Sequence, residues 1–215
     1  MKLQGPSIPP ASGKVRKLVV FLHGLGADGN DLLSLSDEFA QDLPDTAFYS
    51  PNAPFPCDMA PYGYQWFSLQ ERVEDKILAG VKIAAPMLNG YLDELLAAHA
   101  LKPADLALVG FSQGTMMALY IAARRFAPIA GVLGYSGALI SPESLAKEAV
   151  SHPPLCLIHG DSDGVVPYGA LLQAVDVLQQ NTFKIEAHSR PGLGHGIDGE
   201  GIAIGAAFLK KCLLV

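Results

Sequence analysis

Cysteine, charge and long apolar runs are all scarce in this sequence of 215 residues. The spacing of Cys57, Cys156 and Cys212 fits neither a zinc motif nor a disulfide framework, so reduced thiols are expected, with a single disulfide as the alternative. Charged residues make up 17% of the chain, against about a quarter in an ordinary domain. A well-filled core explains this deficit. The alternative, functional interpretation is an exposed apolar patch that binds a substrate, a membrane surface or a second subunit.

Several classes of partner and cofactor lack their usual signals. The basic residues are scattered and the net charge is −6, so nucleic acid is not an expected partner. No stretch reaches the roughly 18 apolar residues of a membrane span, so stable membrane insertion is not expected either. The first residues lack the apolar segment of a signal peptide, which makes a cytoplasmic location the default expectation. No metal-ligand spacing, P-loop or dinucleotide fingerprint is present, and we therefore expect no cofactor and no metal.

What the sequence does contain is a regular alternation of short apolar runs and longer helical stretches. Most of the runs are continuously apolar, which is typical of parallel strands buried on both faces. Strands are predicted at residues 17–22, 46–50, 106–111, 129–135, 155–159 and 183–189, after an irregular or edge segment in the first dozen residues. Helices are predicted at 30–43, 73–99, 112–125, 168–180 and 197–213, with a kink or break at Pro86. This alternation predicts a single α/β domain over residues 1–215, with a mainly parallel central sheet flanked by helices.

The pentapeptide at residues 110–114, Gly-Phe-Ser-Gln-Gly, stands directly between a predicted strand and a predicted helix. The pattern G-x-S-x-G in this context is the nucleophile elbow, a sharp turn that exposes the serine hydroxyl. Close packing at the turn requires small residues on either side, which accounts for Gly110 and Gly114. Ser112 is therefore the predicted nucleophile, and an ordinary strand-to-helix turn is the alternative.

A serine hydroxyl needs a histidine base that is steadied by a carboxylate, and in α/β-hydrolases the acid and then the histidine follow the serine along the chain. Two histidines occur late enough in the sequence. His188 alternates with Lys184 and Glu186 on the polar face of the last predicted strand and is predicted to be solvated. His195 lies among glycines in the following loop, where it can approach the nucleophile, and is the predicted base.

Two aspartates compete for the role of the acid, because both follow the predicted strand that ends at His159. Asp161 comes first and suits a side-chain turn bond, whereas Asp163 lies further into the loop and precedes Gly164. Turn chemistry favours Asp163 only slightly, so both remain candidates at this point. His159 either holds this loop or is simply packed in the core.

The oxyanion of a tetrahedral intermediate needs backbone N–H donors. In this fold one donor is the residue after the nucleophile, here Gln113, and the other comes from the loop after an early strand. The sequence His23-Gly24-Leu25-Gly26 occupies that position, and Leu25 is the second candidate donor. His23 is expected to hold this loop by hydrogen bonding.

In combination and order, several segments resemble the phospholipase/carboxylesterase family, which includes bacterial carboxylesterases and acyl-protein thioesterases. The matching segments span nearly the whole chain and lie at residues 21–31, 51–54, 65–67, 110–114, 160–167 and 194–196. The resemblance implies an α/β-hydrolase fold with little or no lid domain. It also implies a catalytic triad of Ser112, Asp163 and His195, and oxyanion donors at Leu25 and Gln113.

The resemblance further places Trp66 near the acyl pocket, with a buried core aromatic as the alternative. The implied activity is hydrolysis of carboxylic esters with short to medium acyl chains through an acyl-enzyme. A thioesterase or lysophospholipase acting on long acyl chains is the main alternative, and a non-catalytic binding module is the remote one. Some relatives are dimers, so a homodimer is among the states that the resemblance allows.

Overall fold

A computed structural model describes residues 2–214, and a seven-stranded sheet forms its centre. The strands are Ser7–Ile8 (β1), Lys17–Leu22 (β2), Thr46–Tyr49 (β3), Phe55–Pro56 (β4), Tyr64–Gln65 (β5), Leu106–Phe111 (β6), Gly131–Tyr135 (β7), Leu155–Gly160 (β8) and Ile185–Arg190 (β9). The helices are Leu35–Ala40 (α1), Glu74–Ala98 (α2), Gln113–Arg124 (α3), Leu145–Glu148 (α4), Gly169–Gln180 (α5) and Gly199–Leu213 (α6). The order across the main sheet is β1-β3-β2-β6-β7-β8-β9, and β4 and β5 form a separate hairpin.

The sheet is parallel except at β1, which pairs antiparallel with β3 at one edge. Strands β6, β7 and β8 are apolar because helices cover both of their faces. Helices α2, α3 and α5 contribute to the core on one face, whereas α1 and α6 contribute to the core on the other. The predicted parallel α/β architecture is confirmed. Among residues 2–214, no helix combines the length and apolarity that crossing a bilayer would require.

The strand β9 forms the other edge of the sheet and differs in character from the central strands. Its sequence, Ile-Glu-Ala-His-Ser-Arg, is polar, and none of its residues is fully buried. On its inner side it pairs in parallel with β8, so that Cys156 is level with Glu186 and Ile158 with His188. The predicted edge character of the first dozen residues is also seen, since β1 is an edge strand.

Two helix predictions were wrong in detail. The helix predicted at residues 30–43 is only the six-residue α1, because Asp28 Oδ1 and Asn52 Oδ1 bond the N–H groups of Asn30 and Gly29 and draw this segment into turns. Of the kink or break predicted at Pro86, the break is absent, because α2 runs through this residue without interruption. Pro86 lies on the solvent face of α2, where water can satisfy the carbonyl group that the missing N–H leaves unpaired.

Candidate active site

The turn between β6 and α3 holds Ser112 in a conformation that residues with a side chain rarely adopt. Its φ is 53° and its ψ is −116°, and it stands immediately before the first residue of α3. The glycines on either side are required sterically. A Cβ atom at Gly110 would lie 2.5 Å from Thr115 N, and one at Gly114 would overlap the carbonyl oxygen of Leu22. A strained turn of this kind costs on the order of 1–3 kcal/mol and is typical of functional sites.

Asp163 and His195 are joined by a hydrogen bond in which His195 Nδ1 lies 2.8 Å from Asp163 Oδ2. The other carboxylate oxygen of Asp163 accepts the N–H groups of Val165 and Val166 at 2.8 and 2.9 Å. Burial alone would raise the pKa of Asp163, but these hydrogen bonds outweigh it and hold the pKa below its usual value. Asp163 is therefore ionised at neutral pH and fixes the orientation of the imidazole.

A second histidine, His159, lies on the other side of Asp163. Its Nε2 atom is 2.9 Å from the carbonyl oxygen of Val166 and 3.2 Å from Asp163 Oδ2. His159 is fully buried at the end of β8. Of the two roles considered for it, the hydrogen bond to Val166 and the proximity to Asp163 favour holding the acid loop.

Asp161 has a different set of partners. Its Oδ1 atom accepts the hydroxyl of Ser162 and, at 2.8 Å, the N–H of Gly192. Asp161 thus ties the acid loop to the loop that carries His195, but it does not contact His195. The side-chain turn bonds that were expected of Asp161 are instead made by Asp163.

Ser112 and His195 line one cavity of about 420 Å³ at the carboxyl ends of the strands. In the part of the chain that the structure describes, no hydrogen bond joins the Ser112 hydroxyl to His195. Such bonds are often long before substrate binds. The remaining walls are mostly apolar and are formed by Gly24, Leu25, Leu69, Arg72, Ile77, Phe111, Gln113, Met116, Ala138, Val165, Val166, Pro167 and Ala170.

Leu25 and Gln113, the predicted oxyanion donors, both line this cavity beside Ser112. Gln113 is the first residue of α3, and the N–H groups of a first helical turn have no acceptor within their own helix. The positive end of the helix dipole lies at the same point and favours negative charge there.

A buried hydrogen-bond network connects the elbow with the loop that carries Leu25. The side-chain oxygen of Gln113 accepts a hydrogen bond from the backbone N–H of Trp66, and its side-chain N–H donates to the Phe67 carbonyl, both at 2.8 Å. The indole N–H of Trp66 donates to the carbonyl of His23 at 3.0 Å. Because these donors and acceptors are buried, breaking one bond leaves another polar group unpaired, which makes the network rigid.

His23 holds the early loop as expected from the sequence. Its Nδ1 atom is 2.7 Å from the Gly24 carbonyl, and its Nε2 atom accepts the N–H of Ala53 at 3.0 Å. Burial lowers the pKa of His23, against weaker opposing effects of the Gly24 carbonyl and of Asp28 and Asp31. A neutral ring protonated on Nδ1 satisfies both bonds.

Two placements made from the sequence need correction. Trp66 does not line the cavity, because its side chain is fully buried and its N–H bonds to His23, so the alternative of a core aromatic describes it better. His188 is not solvated: the residue is half-buried, and its Nε2 atom is hidden from solvent without a hydrogen-bond partner. Helix α6 belongs to the core cluster on this side of the sheet, and a strand pattern by itself does not reveal such tertiary neighbours.

Sequence reasoning did not single out the side chains that shape the cavity. Met116 follows Ser112 by one helical turn, and this spacing was a usable signal. Leu69, Arg72 and Ile77 come from the segment before α2 and from its first turn. No local pattern links that segment to the elbow.

Comparison with known proteins is consistent with this geometry. The model of the family described as Phospholipase/Carboxylesterase matches residues 3–213. The chain belongs to this family. The predictions of the family, of an α/β-hydrolase fold and of a carboxylesterase-type enzyme are thereby confirmed.

Individual relatives of the chain carry esterase or thioesterase names. The crystal structure of esterase PE8 is 42% identical, with a TM-score of 0.95, and the match covers 99% of this chain and 100% of that one. Esterase YpfH from Escherichia coli is 26% identical, with 97% of this chain and 86% of the relative covered. Acyl-protein thioesterase 1 from Gibberella zeae is 24% identical, with 97% and 95% covered.

Proposed function

We propose that this protein is a serine esterase that hydrolyses carboxylic esters with short to medium acyl chains. The observation that carries the proposal is the common cavity of Ser112 and His195, in which the serine has the backbone strain of a nucleophile elbow and the histidine is bonded to Asp163. Ser112 is the nucleophile, His195 the base and Asp163 the group that orients it.

In the first step, Ser112 Oγ attacks the carbonyl carbon of the ester while His195 Nε2 takes the hydroxyl proton. The negative charge that develops on the carbonyl oxygen is stabilised by the N–H groups of Leu25 and Gln113. The imidazolium that forms is stabilised by the adjacent carboxylate of Asp163, 2.8 Å away. His195 then gives its proton to the leaving alcohol, and the acyl group remains on Ser112.

In the second step, water attacks the acyl-enzyme, and His195 acts first as base and then as acid. The same two N–H donors stabilise the second oxyanion, and the carboxylic acid leaves as Ser112 regains its proton. The sequence of steps needs only groups of this chain and water.

The size of the cavity supports the preference for shorter acyl chains. Its volume of about 420 Å³ lies towards the lower end of the roughly 300–1,000 Å³ of small-molecule sites. Its walls are mostly apolar, with Met116 and Ile77 among them, as an aliphatic acyl chain requires.

An acyl-protein thioesterase is the second candidate, and two observations favour it. Thioesterase names recur among the curated relatives. In addition, Val165 lines the cavity and is 58% exposed, which leaves an apolar rim that a long acyl chain could contact. The triad chemistry serves a thioester equally well, with a thiol as the leaving group.

Covalent labelling tests the proposed nucleophile. A fluorophosphonate probe is expected to label the wild-type protein and to leave Ser112→Ala unlabelled, with circular dichroism showing that both are folded. Labelling that persists in Ser112→Ala, or a folded wild-type protein that is never labelled, would overturn the assignment.

Chain-length preference separates the two candidates. We expect kcat/KM on p-nitrophenyl esters to peak at short or medium chains between acetate and palmitate, with Ser112→Ala as the blank. A rise towards palmitate, together with faster cleavage of a palmitoyl thioester than of the matched ester, would favour the thioesterase.

A further inference from the structure

A second cluster of reactive side chains lies between the outermost strands of the sheet, away from the cavity of Ser112. Glu186 and His188 are alternate residues of β9 and therefore share one face. Cys156 of the neighbouring strand is level with Glu186 in the parallel register. One ligand-type atom from each of these three residues lies within 4.8 Å of the other two.

The cluster contains a polar atom that the described protein leaves without a partner. His188 Nε2 is buried and makes no hydrogen bond to the described residues. A buried nitrogen is normally paired, and one that is not calls for an explanation such as a bound ion. Cys156 next to it is fully buried, and burial, with smaller contributions from Glu186 and Cys212, raises the pKa of its thiol to about 12.

Of the three residues in the cluster, Glu186 is the one that lines a neighbouring cavity. Glu186 is exposed and forms one wall of a cavity of about 570 Å³ that Lys184, Lys211 and Cys212 also line. Lys211 donates to one carboxylate oxygen of Glu186 at 2.6 Å, so the second oxygen is available. Arg190, on the same face of β9, is paired with Asp198 and Glu200 and does not compete for Glu186.

We propose that Cys156, Glu186 and His188 form a binding site for a thiophilic divalent cation such as Zn²⁺. A thiolate, an imidazole and a carboxylate are its usual ligands, and three protein ligands leave the fourth tetrahedral position to water. Zn²⁺ holds such atoms at roughly 2.0–2.3 Å, so binding would draw together three ligand atoms that lie within 4.8 Å of one another in the described protein. Binding releases the thiol proton of Cys156, which makes the affinity rise with pH.

The site would fasten the edge strand β9 to β8. The end of β9 leads into the loop that carries His195, but the three ligands take no part in the proposed hydrolysis. Because the folded chain binds the ion and the unfolded chain lacks the assembled site, bound metal is expected to raise the melting temperature.

Titration with Co²⁺ tests the site directly. The full-length protein, freed of metal with a chelator, is expected to bind one Co²⁺ with a thiolate charge-transfer band in the near ultraviolet and visible bands of tetrahedral cobalt. Zn²⁺ should displace the Co²⁺ and raise the melting temperature. Cys156→Ala should lose the charge-transfer band. His188→Gln and Glu186→Gln should each weaken Co²⁺ binding by more than about 100-fold. Loss of a residue that only hydrogen-bonds to a ligand typically weakens metal binding by roughly 10- to 100-fold, so a larger effect indicates a direct ligand.

Cys212→Ala is the matched control, since this thiol lines the neighbouring cavity but lies outside the cluster. It should keep the band and the thermal shift. Absence of the band in the wild type, an unchanged band in Cys156→Ala, unchanged affinity in His188→Gln, or loss of the band in Cys212→Ala would each overturn the three-ligand site. The partly exposed variants Glu186→Gln and His188→Gln keep the test valid if Cys156→Ala unfolds.

Discussion

His159 Nε2 lies 3.2 Å from Asp163 Oδ2, the same carboxylate oxygen that His195 contacts. One carboxylate oxygen thus lies between two imidazole rings, one of them fully buried and the other at the cavity. The Nε2–H of His159 also points towards the carbonyl of Val166, so this side chain fixes the acid and the loop around it together. His159 does not line the cavity and acts on it through Asp163 and Val166.

Replacing His159 by leucine is expected to lower kcat by roughly 2- to 10-fold with little change in KM, because it removes the hydrogen bond to the Val166 carbonyl, and a neutral hydrogen bond contributes about 0.5–1.5 kcal/mol. His159→Gln, which can place an N–H donor near the same point, should recover most of the loss. Steady-state kinetics on one ester, with both variants checked for folding, measures this. Equal losses in the two variants would mean that the ring matters for packing and not for its N–H.

The two aspartates of the acid loop should differ sharply in their effects. Asp163→Asn is expected to lower kcat by about 10⁴-fold while the fold is retained, by analogy with other triad acids. Asp161→Asn keeps an oxygen that can accept the Gly192 N–H, so it should change stability by no more than about 1 kcal/mol and leave kcat nearly unchanged. Activity assays and urea unfolding of both variants distinguish the roles, and similar activity losses at both positions would contradict the assignment of Asp163.

The buried His23 should make stability depend on pH in the mildly acidic range. Its pKa is lowered in the folded chain, whereas an unfolded histidine has a pKa of about 6.5. Below about pH 6.5, His23 is therefore protonated in the unfolded chain but remains neutral in the folded chain. As the pH is lowered, the free energy of unfolding falls by at most about 1.4 kcal/mol per pH unit. The fall ends once the pH passes the lower pKa of the folded state.

Urea unfolding between about pH 8 and pH 5 measures this slope. His23→Gln should flatten it, whereas His152→Gln, at an exposed position, should leave it as in the wild type. A slope that is identical in the wild type and His23→Gln would rule out His23 as its source.

Of Met116 and Trp66, only Met116 should influence chain-length preference. Met116 lines the cavity, so Met116→Ala should enlarge it and move the optimum among p-nitrophenyl esters towards longer acyl chains. Trp66→Phe removes the bond to the His23 carbonyl and should cost about 1–3 kcal/mol of stability, but it should keep the optimum where it is. A shift of the optimum in Trp66→Phe would restore Trp66 to the acyl pocket.

The central strands were predictable because a strand that is buried on both faces appears in the sequence as a short, continuously apolar run. The run at residues 106–111 became β6 with the same bounds, and the elbow followed in the expected strand–turn–helix context. The residues of the proposed triad all follow strand ends: Ser112 comes directly after β6, Asp163 three residues after β8 and His195 five residues after β9. Helix ends were less predictable: α1 is short because loop bonds from Asp28 and Asn52 override an apolar periodicity.

The rest of the site depends on contacts between segments far apart in sequence. Trp66 bonds to His23 across 43 positions, and Gln113 bonds to Phe67 across 46. A single sequence has no periodicity that encodes such pairs. His188 shows the same limit, because its alternation with Glu186 on β9 agrees with the structure, whereas the burial of its Nε2 atom depends on tertiary packing that the pattern does not contain.

The composition of β9 has a consequence for encounters between copies of the chain. An outermost strand exposes a row of unpaired amide and carbonyl groups on which another strand can add, and such addition begins amyloid-like assembly. Here the side chains along that row include Glu186 and Arg190, and a second identical strand laid alongside in register would bring like charges together. The charges of β9 therefore disfavour the addition of further strands at this edge of the sheet.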